Sequence, residues 1–330
     1  MGVNALPLID ISNFQSGNFE AKRAIAAQVA QACTDIGFFA ISGHGVEKTV
    51  ISNLRESSHT FFSQSDDIKH NFVHPIKGTP RGFRTFRGEA LGKTSGQADA
   101  QPDLKEFYHI GREKIPLDDP YYTSDEGKKY FIPNLWPDHP LEFKAAALAY
   151  WDSMEALAMN LAHIIAVALD LPETWFDDKI NKHATAIRLN YYPAFSESPL
   201  PKQIRAGAHT DYGMITILMG ENQPGGLQIL TREGHWIDVE TKPDYFVINI
   251  GDLLMRWTND TWLSNLHRVI NPPTGSQEDR GRFSAGFFFQ PNYDALIECI
   301  PTCSGPERPA KYKPVHSGRY REVKYEEALS

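Results

Sequence analysis

Apolar residues change their spacing about halfway along the chain. Helical spacing marks three segments before that point, residues 19–36, 47–63 and 140–170. From Ala184 onward, short apolar runs alternate with Gly, Pro and Asn, which is typical of a β-sandwich or β-barrel. The pattern therefore predicts a mainly β protein whose first half adds helices to the sheets.

Shorter elements complete this prediction. Strands are predicted at Leu8–Ile11 and Phe38–Ile41, and Gly37 ends the helix between them because glycine is common just past a helix C-terminus. A short helix is expected over residues 65–71. Residues 75–103 are rich in Gly, Arg, Thr, Gln and Ala, and they predict a long loop.

Composition and charge exclude several classes of function. The chain has 330 residues, of which 41% are hydrophobic and 22% charged, as expected of a soluble globular protein. Its net charge of −8 argues against a nucleic-acid partner. No apolar run reaches the roughly 18 residues of a membrane helix. We expect a small-molecule partner and a monomer or weak homo-oligomer.

Three cysteines occur, Cys33, Cys299 and Cys303, and this odd, low number indicates free thiols in a reducing compartment. The first residues also lack the basic and apolar regions of a signal peptide. We therefore expect a cytoplasmic protein.

The most informative residues are two histidines and an aspartate. His209 and Asp211 stand two positions apart, so on a strand their side chains point to one face. His267, in a later apolar segment, supplies a third ligand. Two imidazoles and one carboxylate on one side of a metal leave the other side open, as in non-haem Fe(II) oxygenases. The triplet alone is a weak signal, because polar turns produce it by chance.

A second pair strengthens this interpretation. Arg282 and Ser284 also share one strand face. A guanidinium and a hydroxyl together form a receptor for a carboxylate. A carboxylate receptor beside an open metal site fits 2-oxoglutarate, which chelates iron at one end and carries a carboxylate at the other.

Ordered motifs along nearly the whole chain carry a resemblance to a known family. They are Pro7–Asp10, Gly37–Phe39, His44–Val46, Asn190–Pro193, Gly225–Ile229, Asn249–Asp252, His267–Val269 and Arg282–Ser284. With these segments the chain resembles the isopenicillin N synthase-like family of Fe(II)- and 2-oxoglutarate-dependent oxygenases.

The resemblance implies a double-stranded β-helix, or jelly roll, flanked by N-terminal helices. The expected regions are an N-terminal helical and extended region at 1–178, the oxygenase core at 179–293 and a C-terminal extension at 294–330. It also implies Fe(II), 2-oxoglutarate and O₂ as cofactor and cosubstrates, and succinate and CO₂ as coproducts. The expected activity is hydroxylation, desaturation or ring formation on a small molecule of secondary metabolism.

Further site residues follow from the same resemblance. Tyr192 is expected to donate to the distal carboxylate of 2-oxoglutarate, and Asn190 to lie near its iron-chelating end. Arg188 shares their strand face and is a substrate contact or a structural ion pair. Tyr212 follows the aspartate ligand and is expected at the substrate entrance or in packing.

The segment Arg81–Glu89 predicts a contact with an acidic, partly apolar substrate. Its candidate residues are Phe83, Arg84, Phe86 and Arg87, and the other interpretation is a solvated basic loop. Phe289 is the remaining substrate candidate. With Phe287, Leu218 and Ile229, it is a candidate for an apolar shell around the metal, or else for jelly-roll core.

Two other functions remain open at this stage. An oxidase of the isopenicillin N synthase type uses the same metal ligands without 2-oxoglutarate, and its Arg-x-Ser pair holds the substrate's own carboxylate. A zinc protein with these ligands is the third interpretation, although the sequence has no HExxH helix to support hydrolysis. An inserted segment, Pro272–Arg280, makes the spacing from His267 to Arg282 longer than in plant members of the family.

Overall fold

The computed structural model of this protein describes residues 6–76, 78–195, 198–221, 226–273 and 281–329. Most of the predicted insertion and Gly225 therefore lie outside the described residues. The strands are β1 (Leu8–Asp10), β2 (Phe38–Ser42), β3 (Gly82–Arg84), β4 (Glu106–Gly111), β5 (Ala186–Tyr192), β6 (Ala206–His209), β7 (Ile215–Gly220), β8 (Leu227–Leu230), β9 (Trp236–Val239), β10 (Phe246–Ile250), β11 (His267–Val269), β12 (Arg282–Phe289), β13 (Leu296–Ile297) and β14 (Val315–His316).

The helices lie mainly before β5. They are α1 (Phe19–Asp35), α2 (Lys48–Phe62), α3 (Asp66–His70), α4 (Pro120–Thr123), α5 (Gly127–Tyr130), α6 (Phe143–Ala168), α7 (Asp177–Ile180), α8 (Asp252–Trp257) and α9 (Ser317–Leu329). Two short 3-10 helices cover Leu91–Ser95 and Pro301–Cys303. In the described part of the chain, none of these helices has the length and apolar composition needed to cross a membrane.

Two sheets build the core of the molecule. The larger has the order β1-β2-β10-β7-β12-β5-β4-β3, and the smaller has the order β6-β11-β8-β9. All neighbours are antiparallel except β1 and β2. Strands β1–β4 thus extend the sheet that β5, β7, β10 and β12 form, so the N-terminal region is continuous with the core. The region boundaries themselves stay a prediction.

The larger sheet has two buried faces. Its outer face packs on the helical layer, where Phe287 of β12 meets Trp151 of α6 edge to face, with ring centroids 5.4 Å apart. Its inner face packs on the smaller sheet, where Phe38 and Val247 join Ile229 and Val239 in one apolar cluster. This arrangement confirms the predicted jelly roll with flanking N-terminal helices.

The helices form where the apolar spacing predicts them. Helix α1 begins after Asn18, whose side chain accepts a hydrogen bond from the Ala21 backbone N–H. It ends before Gly37, whose φ of +71° is easily adopted only by glycine. These boundaries confirm the predicted helix 19–36 and the buried strand after it.

The predicted loop 75–103 is more ordered than the sequence indicates. It contains β3, which pairs with β4, and the 3-10 helix Leu91–Ser95, which packs against β6. The predicted long loop is therefore interrupted by regular structure at Gly82–Arg84 and Leu91–Ser95. The pairing partners lie elsewhere in the sequence, so local composition did not indicate them.

Candidate active site

The two histidines and the aspartate converge at one end of the smaller sheet. His209 at the end of β6 pairs in register with His267 at the start of β11, and their ring centroids lie 4.3 Å apart. Asp211 follows β6, and its Oδ1 lies 3.9 Å from Nε2 of His267. One potential ligand atom from each residue lies within 4.8 Å of the others, so a single metal ion fits among them.

Backbone carbonyls orient both imidazoles. Nδ1–H of His209 donates to the Gly207 carbonyl at 2.8 Å, and Nδ1–H of His267 donates to the Asn265 carbonyl at 3.1 Å. Each ring therefore presents Nε2 with its lone pair free for a metal. Burial, together with the adjacent His267, holds the pKa of His209 well below its usual range. This histidine is neutral at physiological pH, the form that binds metal.

Two neighbouring strands orient the carboxylate. Thr216 Oγ1 and Asn249 Nδ2 both donate to Oδ2 of Asp211, at 2.6 and 2.8 Å. These residues pair in register on β7 and β10. Their two bonds leave Oδ1 to face the histidines. Burial raises the pKa of Asp211, but the histidines and these donors outweigh it, and the net shift is downward.

The donor set indicates which metal fits. Two neutral imidazoles and one carboxylate suit Fe(II) better than a purely thiolate site or an all-oxygen site does. Within the described residues, this is the one group of three or more His, Cys, Asp or Glu side chains placed to share an ion. Cys33 and Cys303 are buried in the core on the other side of the larger sheet.

A buried cation lies on the inner face near this centre. Arg282 pairs in register with Tyr192, and Ser284 with Asn190, on β12 and β5. All four are buried, and Arg282 is 1% exposed. The guanidinium lies 5.5 Å from the ring centre of Tyr192, and among the described residues its Nε has no hydrogen-bond partner. A buried guanidinium with an unused N–H favours an anionic ligand there.

The predicted substrate residues divide between the two faces. Arg188 lies on the inner face, where its guanidinium is 4.4 Å from the ring centre of Phe107 and 5.7 Å from that of Phe288. Phe83 and Phe289 lie on the outer face and are buried in the core, against Phe61 and His183. Their side chains therefore point away from the face of Arg282 and Ser284. For Phe289 this agrees with the interpretation as jelly-roll core, and a contact of either residue with a substrate stays a prediction.

The remaining candidates lie at or near the surface. Phe86 and Arg87 are exposed, and the Arg87 guanidinium lies 5.2 Å from the Phe86 ring centre. Arg84 is half-buried at the sheet edge and donates to the Thr79 carbonyl at 2.8 Å. Tyr212 is also half-buried beside Asp211. Their roles toward a substrate stay predictions.

Strand alternation separates Phe289 from its neighbour Phe288, a residue that is absent from the predicted set. Side chains two positions apart share a face, so Phe288, not Phe289, lies on the face of Ser284. Phe288 pairs in register with Thr216, which holds Asp211. This alternation was a sequence signal, whereas Thr216 and Asn249 carried none beyond their place in strands.

The segment before β4 also contributes to the site. Asp103 accepts a hydrogen bond from the Gly207 backbone N–H at 2.9 Å, and a Cβ on Gly207 would lie only 2.5 Å from the Gly92 nitrogen. Leu91 packs against the apolar cluster of Tyr192, Ala206 and Val269. The 3-10 helix therefore closes over both the metal-ligand strand β6 and the pocket around Arg282.

Comparison with known proteins agrees with this geometry. A family model described as non-haem dioxygenase in morphine synthesis N-terminal matches residues 6–139, and one described as 2OG-Fe(II) oxygenase superfamily matches residues 184–291. The chain is 32% identical to the 2-oxoglutarate-Fe(II) type oxidoreductase hxnY of Emericella nidulans, over 96% of this chain and 88% of the relative. It is 33% identical to the 2-oxoglutarate-dependent dioxygenase citB of Monascus ruber, over 88% of this chain and 85% of that relative.

Among solved structures, that of a full-length Neurospora crassa protein in complex with alpha-KG is similar in fold. Its TM-score is 0.84 at 30% sequence identity, and the match covers 98% of this chain and 96% of that chain. The similarity thus extends over the helices, both sheets and the candidate site together.

Proposed function

This chain belongs to the 2OG-Fe(II) oxygenase superfamily, and from that premise we propose which residues serve each cosubstrate. His209, Asp211 and His267 hold Fe(II), and the pocket around Arg282 holds 2-oxoglutarate. The enzyme is a 2-oxoglutarate-dependent dioxygenase that oxidises a small molecule and releases succinate and CO₂. Bound Fe(II) supplies the redox chemistry, by bringing 2-oxoglutarate and O₂ together at its open positions.

One observation carries the assignment of the cosubstrate pocket. The buried Arg282, with an Nε that has no partner in the described structure, lies on the inner face that Asn190 and the metal centre also share. A charge buried in this way is costly unless an opposite charge meets it. The distal carboxylate of 2-oxoglutarate supplies that charge. Ser284 and Tyr192 add hydroxyl donors beside the guanidinium.

Hydrogen bonds within the chain fix the orientation of the three metal ligands. Gly207 and Asn265 carbonyls fix the imidazoles, and Thr216 and Asn249 fix the carboxylate, so three ligands are preorganised on one side. The other side faces the inner surface of β5 and β12. The substrate then lies beside Phe288 and Arg188, further along the same face than the cosubstrate.

The remaining attributes rest on charge and composition. We place the protein in the cytoplasm, because its three cysteines, Cys33, Cys299 and Cys303, are free thiols. The net charge of −8 favours a small-molecule substrate over nucleic acid. A monomer or weak homo-oligomer is sufficient, since the described chain brings all three metal ligands together by itself.

The assignment of the metal ligands is tested by metal binding and turnover in three variants. His209→Ala, Asp211→Ala and His267→Ala should each lose stoichiometric Fe(II) and 2-oxoglutarate-dependent succinate formation, while circular dichroism shows an intact fold. Asp118→Ala removes an exposed carboxylate and is the matched control. Wild-type iron content and turnover in all three variants would show that these residues are not the ligands.

A further inference from the structure

A network of charged side chains lies beside the metal-ligand strand, and the roles proposed above include only its Arg188. Oε1 of Glu89 accepts from Arg188 Nη1 at 3.0 Å and from Lys105 Nζ at 2.7 Å. Lys105 also lies 3.4 Å from Asp103, which accepts from the Gly207 backbone. Glu89, Lys105 and Asp103 together therefore join the inner-face arginine to the strand that carries His209.

The charges in this network nearly balance. Burial raises the pKa of Glu89, but the positive charges of Arg188 and Lys105 outweigh it and lower the pKa to about 2. Burial, with nearby arginines, lowers the pKa of His109 well below its usual range, so this neighbour is neutral. Arg84 adds a positive charge at the sheet edge, where it is half-buried and partly screened by solvent.

Two aromatic rings lie beside the guanidinium of Arg188. The guanidinium of Arg188 lies between Phe107 and Phe288, with its carbon 4.4 and 5.7 Å from their ring centres. The Arg188 side chain is 18% exposed and that of Glu89 is 23% exposed, whereas Arg282 is 1% exposed. The inner face is therefore accessible to solvent at Arg188 and shielded from solvent at Arg282.

This position lies next to the reacting centre. Phe288 pairs in register with Thr216, and Thr216 donates to the ligand Asp211. A flat molecule beside Phe288 would have one edge toward the metal and another toward Arg188 and Glu89. The guanidinium offers N–H donors, and the carboxylate beside it offers an acceptor.

We propose that Glu89 and Arg188 select an uncharged planar substrate whose edge carries a hydrogen-bond donor next to an acceptor, as in a carboxamide or lactam. The acceptor of that edge meets Arg188, and its donor meets Glu89. A carboxylate at the same place would face Glu89 and lose the donor, so anionic analogues are rejected. This inference rests on the proposed function, because it requires the metal and 2-oxoglutarate to occupy their assigned places.

Benzamide and benzoate are matched probes for this proposal. Their binding is measured by calorimetry on the full-length protein loaded with Ni(II), which replaces Fe(II) without turnover, and with saturating 2-oxoglutarate. The saturating cosubstrate keeps benzoate out of the Arg282 pocket. Wild type should bind benzamide at least about tenfold more tightly than benzoate, because the carboxylate of benzoate would lie next to the like charge of Glu89.

Removing the negative charge should reverse the preference. In Glu89→Gln, benzoate should bind more tightly than benzamide, because the repulsion from the Glu89 carboxylate is removed and the positive charge of Arg188 remains. Glu240→Gln makes the same change of net charge on the surface and should keep the wild-type order. A wild-type preference for benzoate, no binding of either probe, or an unchanged order in Glu89→Gln would overturn the proposal.

A second variant covers the case in which Glu89→Gln disturbs the fold. Arg188→Gln should weaken benzamide about tenfold or more and leave 2-oxoglutarate titrations as in wild type. Unchanged benzamide binding in Arg188→Gln would also overturn the proposal. Failure of wild type to bind Ni(II) and 2-oxoglutarate would instead contradict the proposed function, so the two failures are distinguishable.

Discussion

Thr216 donates a hydrogen bond of 2.6 Å to Asp211, and this bond fixes which carboxylate oxygen faces the two histidines. With Asn249 bonded to the same oxygen, Oδ1 of Asp211 is left toward His267. The bond connects the central strand β7 to a ligand on a loop after β6. The larger sheet thereby orients a metal site whose histidines belong to the smaller sheet.

The first prediction concerns this bond. Thr216→Val keeps the shape of the side chain and removes the donor, so Asp211 loses one of its two orienting partners. Iron affinity should fall about 10–100-fold, as is usual when an outer hydrogen bond to a ligand is lost. Competition with a metal chelator measures it, and Thr60→Val, at an exposed helix position, is the control. An iron affinity equal to that of wild type would show that Asn249 alone suffices.

The second prediction separates the two neighbouring tyrosines of β5. Tyr192→Phe removes a hydroxyl from the inner face and should weaken 2-oxoglutarate by about 1.5–3 kcal/mol, the usual value of a hydrogen bond to a charged group. Tyr191→Phe makes the same change on the outer face and should leave the affinity unchanged. Titrations of 2-oxoglutarate into the metal-loaded variants measure both. Equal losses in the two variants would contradict the assigned pocket.

The third prediction uses the two phenylalanines at the end of β12. Phe289→Ala empties a fully buried core position and should lower the free energy of unfolding by about 3–5 kcal/mol. Phe288→Ala should destabilise the fold less and weaken benzamide in the Ni(II)- and 2-oxoglutarate-loaded protein. Urea unfolding and calorimetry measure the two effects. If Phe288→Ala were the more destabilising change and Phe289→Ala were the one that weakened benzamide binding, the substrate would lie on the outer face.

The fourth prediction concerns the contact between β6 and the 3-10 helix. Gly207→Ala introduces a Cβ only 2.5 Å from the Gly92 backbone nitrogen, so one of the two segments must move. His209 is two residues away, and Leu91 packs on the apolar cluster that contains Tyr192, so both iron and 2-oxoglutarate should bind more weakly. Gly226→Ala, where a Cβ has open space, is the control. If both ligands bound as they do to wild type, the 3-10 helix could move aside without affecting either site.

The sequence predicts those parts of the site that depend on short spacing within one strand. Arg282 and Ser284 are a pair at i and i+2 on β12, and they share one face as the spacing indicates. His209 and Asp211 also meet, but β6 ends at His209 and Asp211 reaches the same centre from the loop that follows. The same rule favours Phe288 over Phe289 for this face, whereas apolar character alone does not distinguish the two. Strand alternation is thus more informative here than residue type.

The rest of the site depends on pairing between distant segments. Glu89 meets Lys105 and Arg188 only because the segment after β3 folds back over β4 and β5. Thr216 and Asn249 reach Asp211 because β7 and β10 are neighbours in the sheet. Such pairings are set by the whole fold, so neither the composition nor the local pattern of one sequence indicates them.

The central claim is that Arg282 anchors 2-oxoglutarate while His209, Asp211 and His267 hold the iron that it chelates. Anaerobic protein with Fe(II) and 2-oxoglutarate should show the weak visible charge-transfer absorption of a chelated 2-oxo acid. Arg282→Ala leaves the carboxylate without its buried partner, at a cost of about 3–5 kcal/mol, so the band should appear only at 2-oxoglutarate concentrations about 100-fold higher or more. Arg319→Ala, at an exposed arginine, should titrate as wild type. An iron-loaded wild type without the band, consuming O₂ independently of 2-oxoglutarate, would contradict the account and indicate the oxidase chemistry instead.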